Sequence, residues 1–206
     1  MTRQEKWDKD EAAICELVEA NGGVVKTSQL YTLGIDYRRI QSFVDWGVLL
    51  RIKNGYYSLQ DKKLSEDEMI LRLFGEDGVL TMESALYVYG YLTTKPYEYR
   101  IAVDKNTSKS RFHLNYPFVY PYYSEPKVLS LGVTQMPFGS AAMKIYDKER
   151  LICDCLKYED RMDREDLKKA LLSYLGEPNK DISRLLAYAK ERKVLGKVQN
   201  RIGAWL

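Results

Sequence analysis

A short segment, residues 34–59, gathers the side chains of this chain that are best suited to reading a nucleic acid. It runs GIDYRRIQSFVDWGVLLRIKNGYYSL. In the major groove of DNA, arginine donates paired hydrogen bonds to guanine, and glutamine makes paired hydrogen bonds with adenine. Arg38 and Gln41 are three residues apart and would lie on one side of a helix. The segment therefore offers base recognition, with further cations nearby for phosphates.

The helix that would carry these side chains has clear start and stop signals. Asp36 can cap its amino end, and Gly47 can end it in the left-handed conformation. Two faces follow from the spacing: Tyr37, Ile40, Phe43 and Val44 on one, and Arg38, Gln41, Ser42 and Asp45 on the other. The pattern predicts an amphipathic helix whose arginine-bearing face is turned away from its own core.

A hairpin is predicted directly after this helix. The runs VLLRI and YYSL are joined through Lys-Asn-Gly at residues 53–55, and Asn-Gly between two such runs is a strong hairpin signal. Two further helices are predicted before the arginine-bearing helix, one over residues 10–21 and a short one capped by Thr27. Three helices and a hairpin in this order are typical of a winged helix-turn-helix, which we predict over residues 1–60.

The charges of residues 26–60 favour a partner that carries phosphates. Five cations stand against two acids: Lys26, Arg38, Arg39, Arg51 and Lys53 against Asp36 and Asp45. The predicted contacts with double-stranded DNA are Lys26, Thr27, Ser28, Tyr37, Arg38, Arg39, Gln41, Ser42, Arg51, Lys53 and Asn54. The third helix would read bases, while the hairpin and the start of the second helix would hold phosphates. The alternative is a winged helix that binds another protein, and the excess of cations favours DNA.

The rest of the chain is predicted to form a connector and a second domain. Residues 61–78 indicate a polar link into a helix that Ser65 caps, with Glu68 completing a capping box. From residue 79 on, a short helix is followed by the β-rich runs YRIAV, PFVYPYY, KVLSL and AMKIY and then by a helical tail. The chain is therefore assigned to the α+β class, with a mixed α+β domain over residues 79–206.

Three features of this second domain have a structural and a functional interpretation. The tyrosines of YPFVYPYY, residues 116–123, could stack on bases, but packing against a helix is the favoured interpretation. Cys153 and Cys155 fall on different faces of a helix and are expected to be buried, inert thiols. If one helix continues through Gly196, a candidate second basic surface comprises Lys190, Lys193, Lys197 and Arg201. That surface would contact DNA or an acidic protein, or simply face solvent.

The composition excludes several other classes of protein. No apolar run reaches the roughly 18 to 20 residues of a membrane span, and the amino end has no apolar signal-peptide core, so we expect a cytoplasmic protein. The cysteines are odd in number, His113 is the single histidine, and no metal-binding spacing occurs, so neither a metal nor a cofactor is expected. Since the chain has no nucleophile elbow, phosphate-binding loop or paired catalytic motif, we do not expect an enzyme.

Two stretches of the chain resemble a known family, the abortive-infection AbiEi antitoxins. The first is GGVVKTSQLYTLGIDYRRIQSFVDWGVLLRIKNGYYSL, which matches a Gly-Gly entry, a Thr-led helix, a Leu-Gly turn, an Arg-rich recognition helix and a wing ending in Gly-x-Tyr. The second is MKIYDKERLICDCLKY with REDLKKALLSYL, similar to an Arg-x-Leu helix that carries an Asp and is followed by an Ala-Leu helix. The likeness covers most of the chain. It departs at LICD, residues 151–154, where relatives commonly show Thr-Leu-x-Asp.

The resemblance implies a transcriptional autorepressor of a bacterial toxin–antitoxin system. Such a protein binds inverted repeats in its own promoter through the winged helix, and its carboxy-terminal domain counters a cognate nucleotidyltransferase toxin. The residues alone leave open a winged-helix regulator whose second domain senses a small aromatic ligand through its tyrosines.

Overall fold

The computed structural model describes residues 2–205, in which helices and strands are interspersed up to Tyr146 and only helices follow. Within that range there are ten α-helices and eight strands, which confirms the mixed α+β class. The chain divides into two units. The first runs to Leu73 and includes His113–Pro117, and the second comprises Phe74–Phe112 and the chain from Phe118 on.

Three helices begin the first unit. They are α1 (Arg3–Ala20), α2 (Thr27–Thr32) and α3 (Tyr37–Asp45). Helix α1 starts earlier than predicted because Thr2 and Glu5 cap it reciprocally. The Thr2 hydroxyl accepts a hydrogen bond from the Glu5 amide at 3.1 Å, and the Glu5 carboxylate accepts one from the Thr2 amide at 2.7 Å.

A three-stranded antiparallel sheet packs with these helices in the first unit. Its strands are β1 (Val25–Lys26), β2 (Leu49–Lys53) and β3 (Tyr56–Leu59), in the order β1-β3-β2. The predicted hairpin of β2 and β3 is therefore confirmed. Gly55 takes a φ of +80° in its turn, a conformation that glycine adopts without steric cost.

One apolar cluster holds these helices and strands together. Its buried side chains are Ile14, Val18, Val25, Leu30, Ile35, Ile40, Phe43, Leu49, Tyr57 and Leu59. Every helix and strand of the set contributes at least one of them. Packing against this cluster therefore stabilises the short helix α2, which would not persist alone in water.

Helix α4 (Glu66–Phe74) follows the sheet, and the division between the two units falls at its end. The Ser65 hydroxyl accepts a hydrogen bond from the Glu68 amide at 3.2 Å, so the predicted cap is confirmed. The Glu68 carboxylate accepts a hydrogen bond from Arg72 Nε one turn later, at 2.7 Å.

Six helices belong to the second unit. They are α5 (Met82–Val88), α6 (Pro126–Leu129), α7 (Lys148–Lys157), α8 (Arg164–Leu175), α9 (Ile182–Glu191) and α10 (Leu195–Ile202). The helical tail is thus confirmed, but the condition for the second basic surface, one helix that continues through Gly196, is not met, because Gly196 belongs to α10 and Lys190 to α9. The tail breaks between α9 and α10, where Lys193 takes a φ of +59° that no α-helix contains.

A mixed five-stranded sheet forms the other layer of the second unit. Its strands are β4 (Val79–Leu80), β5 (Tyr99–Asp104), β6 (Val119–Ser124), β7 (Val133–Phe138) and β8 (Ala141–Tyr146), in the order β6-β5-β4-β8-β7. The strands predicted at YRIAV, PFVYPYY and AMKIY are confirmed. KVLSL was expected to be β-rich and instead contains α6, because Pro126 occupies the first helical position, where its fixed φ suits a helix.

A buried charge cluster anchors α7 in the second unit. Arg150 and Asp154 are buried, and so is Arg192, which ends α9. The Asp154 carboxylate accepts a hydrogen bond from Arg150 Nε at 3.1 Å and another from Arg192 Nε at 2.6 Å. Arg150 also donates to the carbonyls of Val128 and Leu131 at 2.7 and 2.8 Å. One carboxylate therefore compensates two guanidinium groups in the core.

The two cysteines of α7 are buried, as expected. Burial raises the pKa of the Cys153 thiol to about 12, and burial also raises the pKa of Cys155 well above its usual value. Since the thiolate is the reactive form, both side chains behave as small apolar core residues.

Within residues 2–205, no group of three or more His, Cys, Asp or Glu side chains could hold a metal ion. In the same range, every helix is too short or too polar to cross a membrane.

Candidate nucleic-acid interface

Helix α3 has one side fixed in the core and the other at the surface. Ile40 and Phe43 are fully buried, and the Asp36 carboxylate accepts a hydrogen bond from the Arg39 amide at 2.8 Å, which sets where the helix begins. Arg38 lies on the opposite side and is exposed. Tyr37, expected on the buried face, is 49% exposed because it stands in the first turn, at the edge of the apolar arc. Arg38 and Tyr37 are therefore both available to a partner.

Gln41 and Ser42 lie beside Arg38 and are half-buried. The Ser42 hydroxyl donates to the Arg38 carbonyl at 3.2 Å. The amide nitrogen of Gln41 is buried without a hydrogen-bond partner among the described residues. A buried donor in this state costs about 1–3 kcal/mol, so rotating the carboxamide towards an outside acceptor would relieve that cost.

Arg39 differs from its neighbour because it is tied to α1. Its Nε donates to the Asp10 carboxylate at 2.6 Å. Its guanidinium lies 5.3 Å from the centre of the Trp7 ring and 5.7 Å from that of Phe43. These contacts join α3 to α1, so the structure places Arg39 in a positioning role and leaves Arg38 as the open arginine.

The hairpin tip carries one open cation and one enclosed cation. Arg51 and Asn54 are exposed, and a guanidinium nitrogen of Arg51 donates to the Asn54 side-chain carbonyl. Lys53 is only 8% exposed, and its ammonium lies 4.4 Å from the centre of the Tyr56 ring. The register shift between Arg51 and Lys53 separates these two side chains along β2. Arg51, rather than Lys53, is therefore the cation that the tip presents.

The start of α2 was expected to offer free amides to a phosphate, and two of those amides are already used. Lys26, rather than Thr27, is the residue before the helix, and its amide donates to the Gln29 side chain at 2.8 Å. The Thr27 amide donates to the Gly55 carbonyl at 2.9 Å. What the helix start presents is therefore the exposed side chains of Lys26 and Ser28.

The candidate second basic surface does not form one cationic face. Lys197 donates to the Glu159 carboxylate at 2.9 Å and to the Leu156 carbonyl at 2.9 Å, and Arg201 reaches the same carboxylate at 3.0 Å. The hydrogen bond from Lys197 lowers the pKa of Glu159 below its ordinary value. Lys190 lies on α9 and Lys193 in the break after it, and both are exposed. Two of the four cations are thus compensated internally.

One tyrosine of β6 packs against a helix, as the favoured interpretation expects. Tyr122 is 5% exposed, and its ring centre lies 4.9 Å from that of Tyr158, at the end of α7. Tyr120 is more open, with the Arg100 guanidinium 4.8 Å from its ring centre. Packing therefore accounts for Tyr122.

Sequence reasoning missed Trp7 and Asp10, which hold Arg39. Trp7 precedes the predicted start of α1, and Asp10 is the first residue of the predicted helix. A signal for them exists, because Trp7, Asp10 and Ile14 follow helical spacing. Extending that pattern towards the amino end would have placed an acid and an aromatic ring on the helix that packs beside α3.

No protein-family model matches the chain, and no curated protein matches it either. The interface is therefore defined by its geometry and charge.

Proposed function

We propose that the protein is a DNA-binding transcriptional autorepressor and the antitoxin of a bacterial abortive-infection system, countering a nucleotidyltransferase toxin in the cytoplasm. The observation that carries the DNA-binding part is α3: its Ile40–Phe43 side is locked in the core, and its other side presents Arg38. The order of three helices and a hairpin supports a winged helix-turn-helix, in which such a helix enters the major groove.

In this proposal the residues of the interface divide into three roles. Arg38 reads guanine and Gln41 reads adenine by paired hydrogen bonds. Arg51 and Lys26 bind phosphates and set the position of the protein on double-stranded promoter DNA with inverted repeats. Arg39 holds α3 on α1 through Asp10, so that the angle of the reading helix is fixed before DNA arrives.

The affinity for the promoter should fall steeply as salt rises. Each neutralised phosphate contributes about −0.9 to the slope of log K against log salt, so Lys26 and Arg51 together predict a slope of about −2 for each bound chain. Fluorescence anisotropy with a labelled promoter duplex between 50 and 200 mM salt, as ordinary working values, measures this slope.

Two variants make the salt experiment specific. Arg51→Ala should reduce the slope by about one unit, because one phosphate contact is lost. Lys53→Ala should leave the slope unchanged, since the Lys53 ammonium is enclosed against Tyr56. An affinity that does not change with salt would contradict the proposed phosphate contacts.

The antitoxin part of the proposal is supported by the resemblance in MKIYDKERLICDCLKY and REDLKKALLSYL, both in the second unit. Arg38 lies in the first unit, so Arg38→Ala should lose promoter repression and keep protection against a cognate nucleotidyltransferase toxin. A promoter reporter measures repression, and growth during toxin expression measures protection.

Both measurements need the antitoxin to be expressed from an unrelated promoter, so that autoregulation does not change its amount. Immunoblotting confirms equal soluble protein. If Arg38→Ala lost protection to the same extent as repression, the two activities would not be separable and the division of roles would be wrong.

A further inference from the structure

A largely apolar groove of about 880 Å³ opens on the second unit, between α8 and α10. Its apolar lining includes Leu167, Leu171, Leu172, Leu175, Ile202 and Trp205. Leu172 is 59% exposed and Trp205 is 67% exposed. Single exposed apolar side chains are ordinary, but a contiguous set that includes a tryptophan marks an interaction surface.

The charges along α8 are arranged unevenly. Arg164, Lys168, Leu171 and Leu175 follow one another at helical spacing and line the same groove. This side of α8 is therefore cationic in its amino-terminal half and apolar in its carboxy-terminal half. Neither Arg164 nor Lys168 forms an ion pair within residues 2–205.

The other charged residues of the groove do not neutralise the cationic half of α8. Arg201, on the α10 side, is paired with Glu159 at 3.0 Å. Asp160 is the other carboxylate of the lining, and it is exposed. Arg164 and Lys168 are thus two unpaired cations against one carboxylate, Asp160, and they give the edge of the groove a net positive charge.

We infer that this groove docks an amphipathic helix of a partner protein, with leucine-like side chains on one face and carboxylates at the end that meets Arg164 and Lys168. The twelve residues of α8 span about 18 Å, so the docked helix has about three turns. Its apolar face covers Leu171, Leu172 and Trp205, and its carboxylates pair with the two free cations. The inference stands on the second unit alone and does not depend on the proposed DNA binding.

The same charges argue against a second copy of this chain as the occupant. In an antiparallel pairing of two α8 helices, Arg164 and Lys168 would face the leucines of the copy, and in a parallel pairing they would face each other. Either arrangement buries cations without compensating acids, which is unfavourable. An enclosed small-molecule site is also a poor fit, because such sites cover most of the ligand, whereas Leu172 and Trp205 are more than half exposed.

Synthetic helices test the inference with the full chain. Two fluorescein-labelled peptides of about 14 residues carry leucines at helical spacing and glutamates at either the amino or the carboxyl end, and two matched peptides carry lysines in place of the glutamates. Fluorescence anisotropy near physiological salt measures binding. At least one acidic peptide should bind about tenfold more tightly than its lysine counterpart, because opposite charges meet at one end of the groove.

Three single substitutions locate the binding. Lys168→Glu should abolish the preference for the acidic peptide. The neighbouring Lys169→Glu should keep it, because Lys169 lies outside the groove lining, next to Asp166 at 3.6 Å. Leu172→Ser should weaken the binding of the acidic and the lysine peptides about tenfold without changing the melting temperature of the protein, since Leu172 is exposed.

Several results would overturn the inference. They are equal affinity for acidic and basic peptides, no binding of either acidic peptide, or binding that Leu172→Ser leaves unchanged. A dimer in light scattering that Leu172→Ser dissociates would assign the groove to a second copy instead.

Discussion

Replacing Arg38 by alanine should reduce the affinity for operator DNA by about 5- to 150-fold and leave the affinity for random DNA nearly unchanged. A bidentate arginine–guanine contact discriminates against the wrong base by about 1–3 kcal/mol, which corresponds to that range. The side chain is exposed, on the side of α3 opposite its core residues, so its loss should not change the melting temperature. Competition anisotropy with operator and random duplexes measures the two affinities.

Arg39→Ala is the matched control, since it removes the same chemical group one residue later. Its pair with Asp10 and its position over Trp7 and Phe43 should make this loss a stability effect of about 1 kcal/mol, visible as a lower melting temperature. Base preference should change less than in Arg38→Ala. If Arg39→Ala relaxed the preference and Arg38→Ala did not, the reading residue would be Arg39, and the orientation of α3 proposed here would be wrong.

The contrast between these two arginines shows what could be read from the sequence. The bounds of α3 and the hairpin follow from local signals, a capping Asp36, a stretch of apolar spacing and an Asn-Gly turn, and the structure confirms each of them. The partner of Arg39 lies 29 residues away on α1, so no local pattern near position 39 could identify it. Distance along the chain, rather than weakness of the signal, limited the prediction.

Lys53 illustrates a second limit, which comes from strand register. Its neighbours predict a cation at the hairpin tip, but a side chain in a strand changes face with a shift of one residue. The irregular register between Arg51 and Lys53 places Lys53 against Tyr56 and leaves Arg51 exposed. A bulge of this kind depends on how both strands pair, which the alternation within β2 alone does not reveal.

In the second unit the sequence predicted most of the helices and strands, but not which side chains of different elements contact each other. Strands β5, β6 and β8 were found from their β-branched and aromatic composition, whereas β7 was missed and KVLSL was assigned to the wrong class. Helix α7 was predicted, yet the reason for an aspartate in its interior was not visible. That reason is the pair of arginines that converge on Asp154 from two helices.

Replacing Asp154 by alanine should lower the free energy of unfolding by about 3–5 kcal/mol, the largest stability effect expected in this chain. Removing one partner of a buried ion pair leaves an uncompensated charge in the core, and here the same carboxylate compensates both Arg150 and Arg192. Since a domain of ordinary stability unfolds with about 5–15 kcal/mol, the variant should be close to its limit at room temperature. Urea denaturation measures the change as a lower midpoint at an unchanged slope.

The Asp154→Asn and Asp166→Ala variants identify the cause of that loss. Asparagine keeps the shape of the side chain and one accepting oxygen, but its NH2 group replaces the other oxygen and can only donate. Nε of either Arg150 or Arg192 would then face a donor, so Asp154→Asn should also be strongly destabilising. Asp166 pairs with Lys169 on the surface at 3.6 Å, and Asp166→Ala should cost less than about 1 kcal/mol because water screens an exposed pair. If Asp154→Ala and Asp166→Ala changed the midpoint equally, Asp154 would not be the residue that holds the two buried guanidinium groups. In that case the carbonyls of Val128 and Leu131 alone would have to stabilise the charge of Arg150. Neutral acceptors alone are a poor substitute for a carboxylate, because a buried charge is costly unless it is paired.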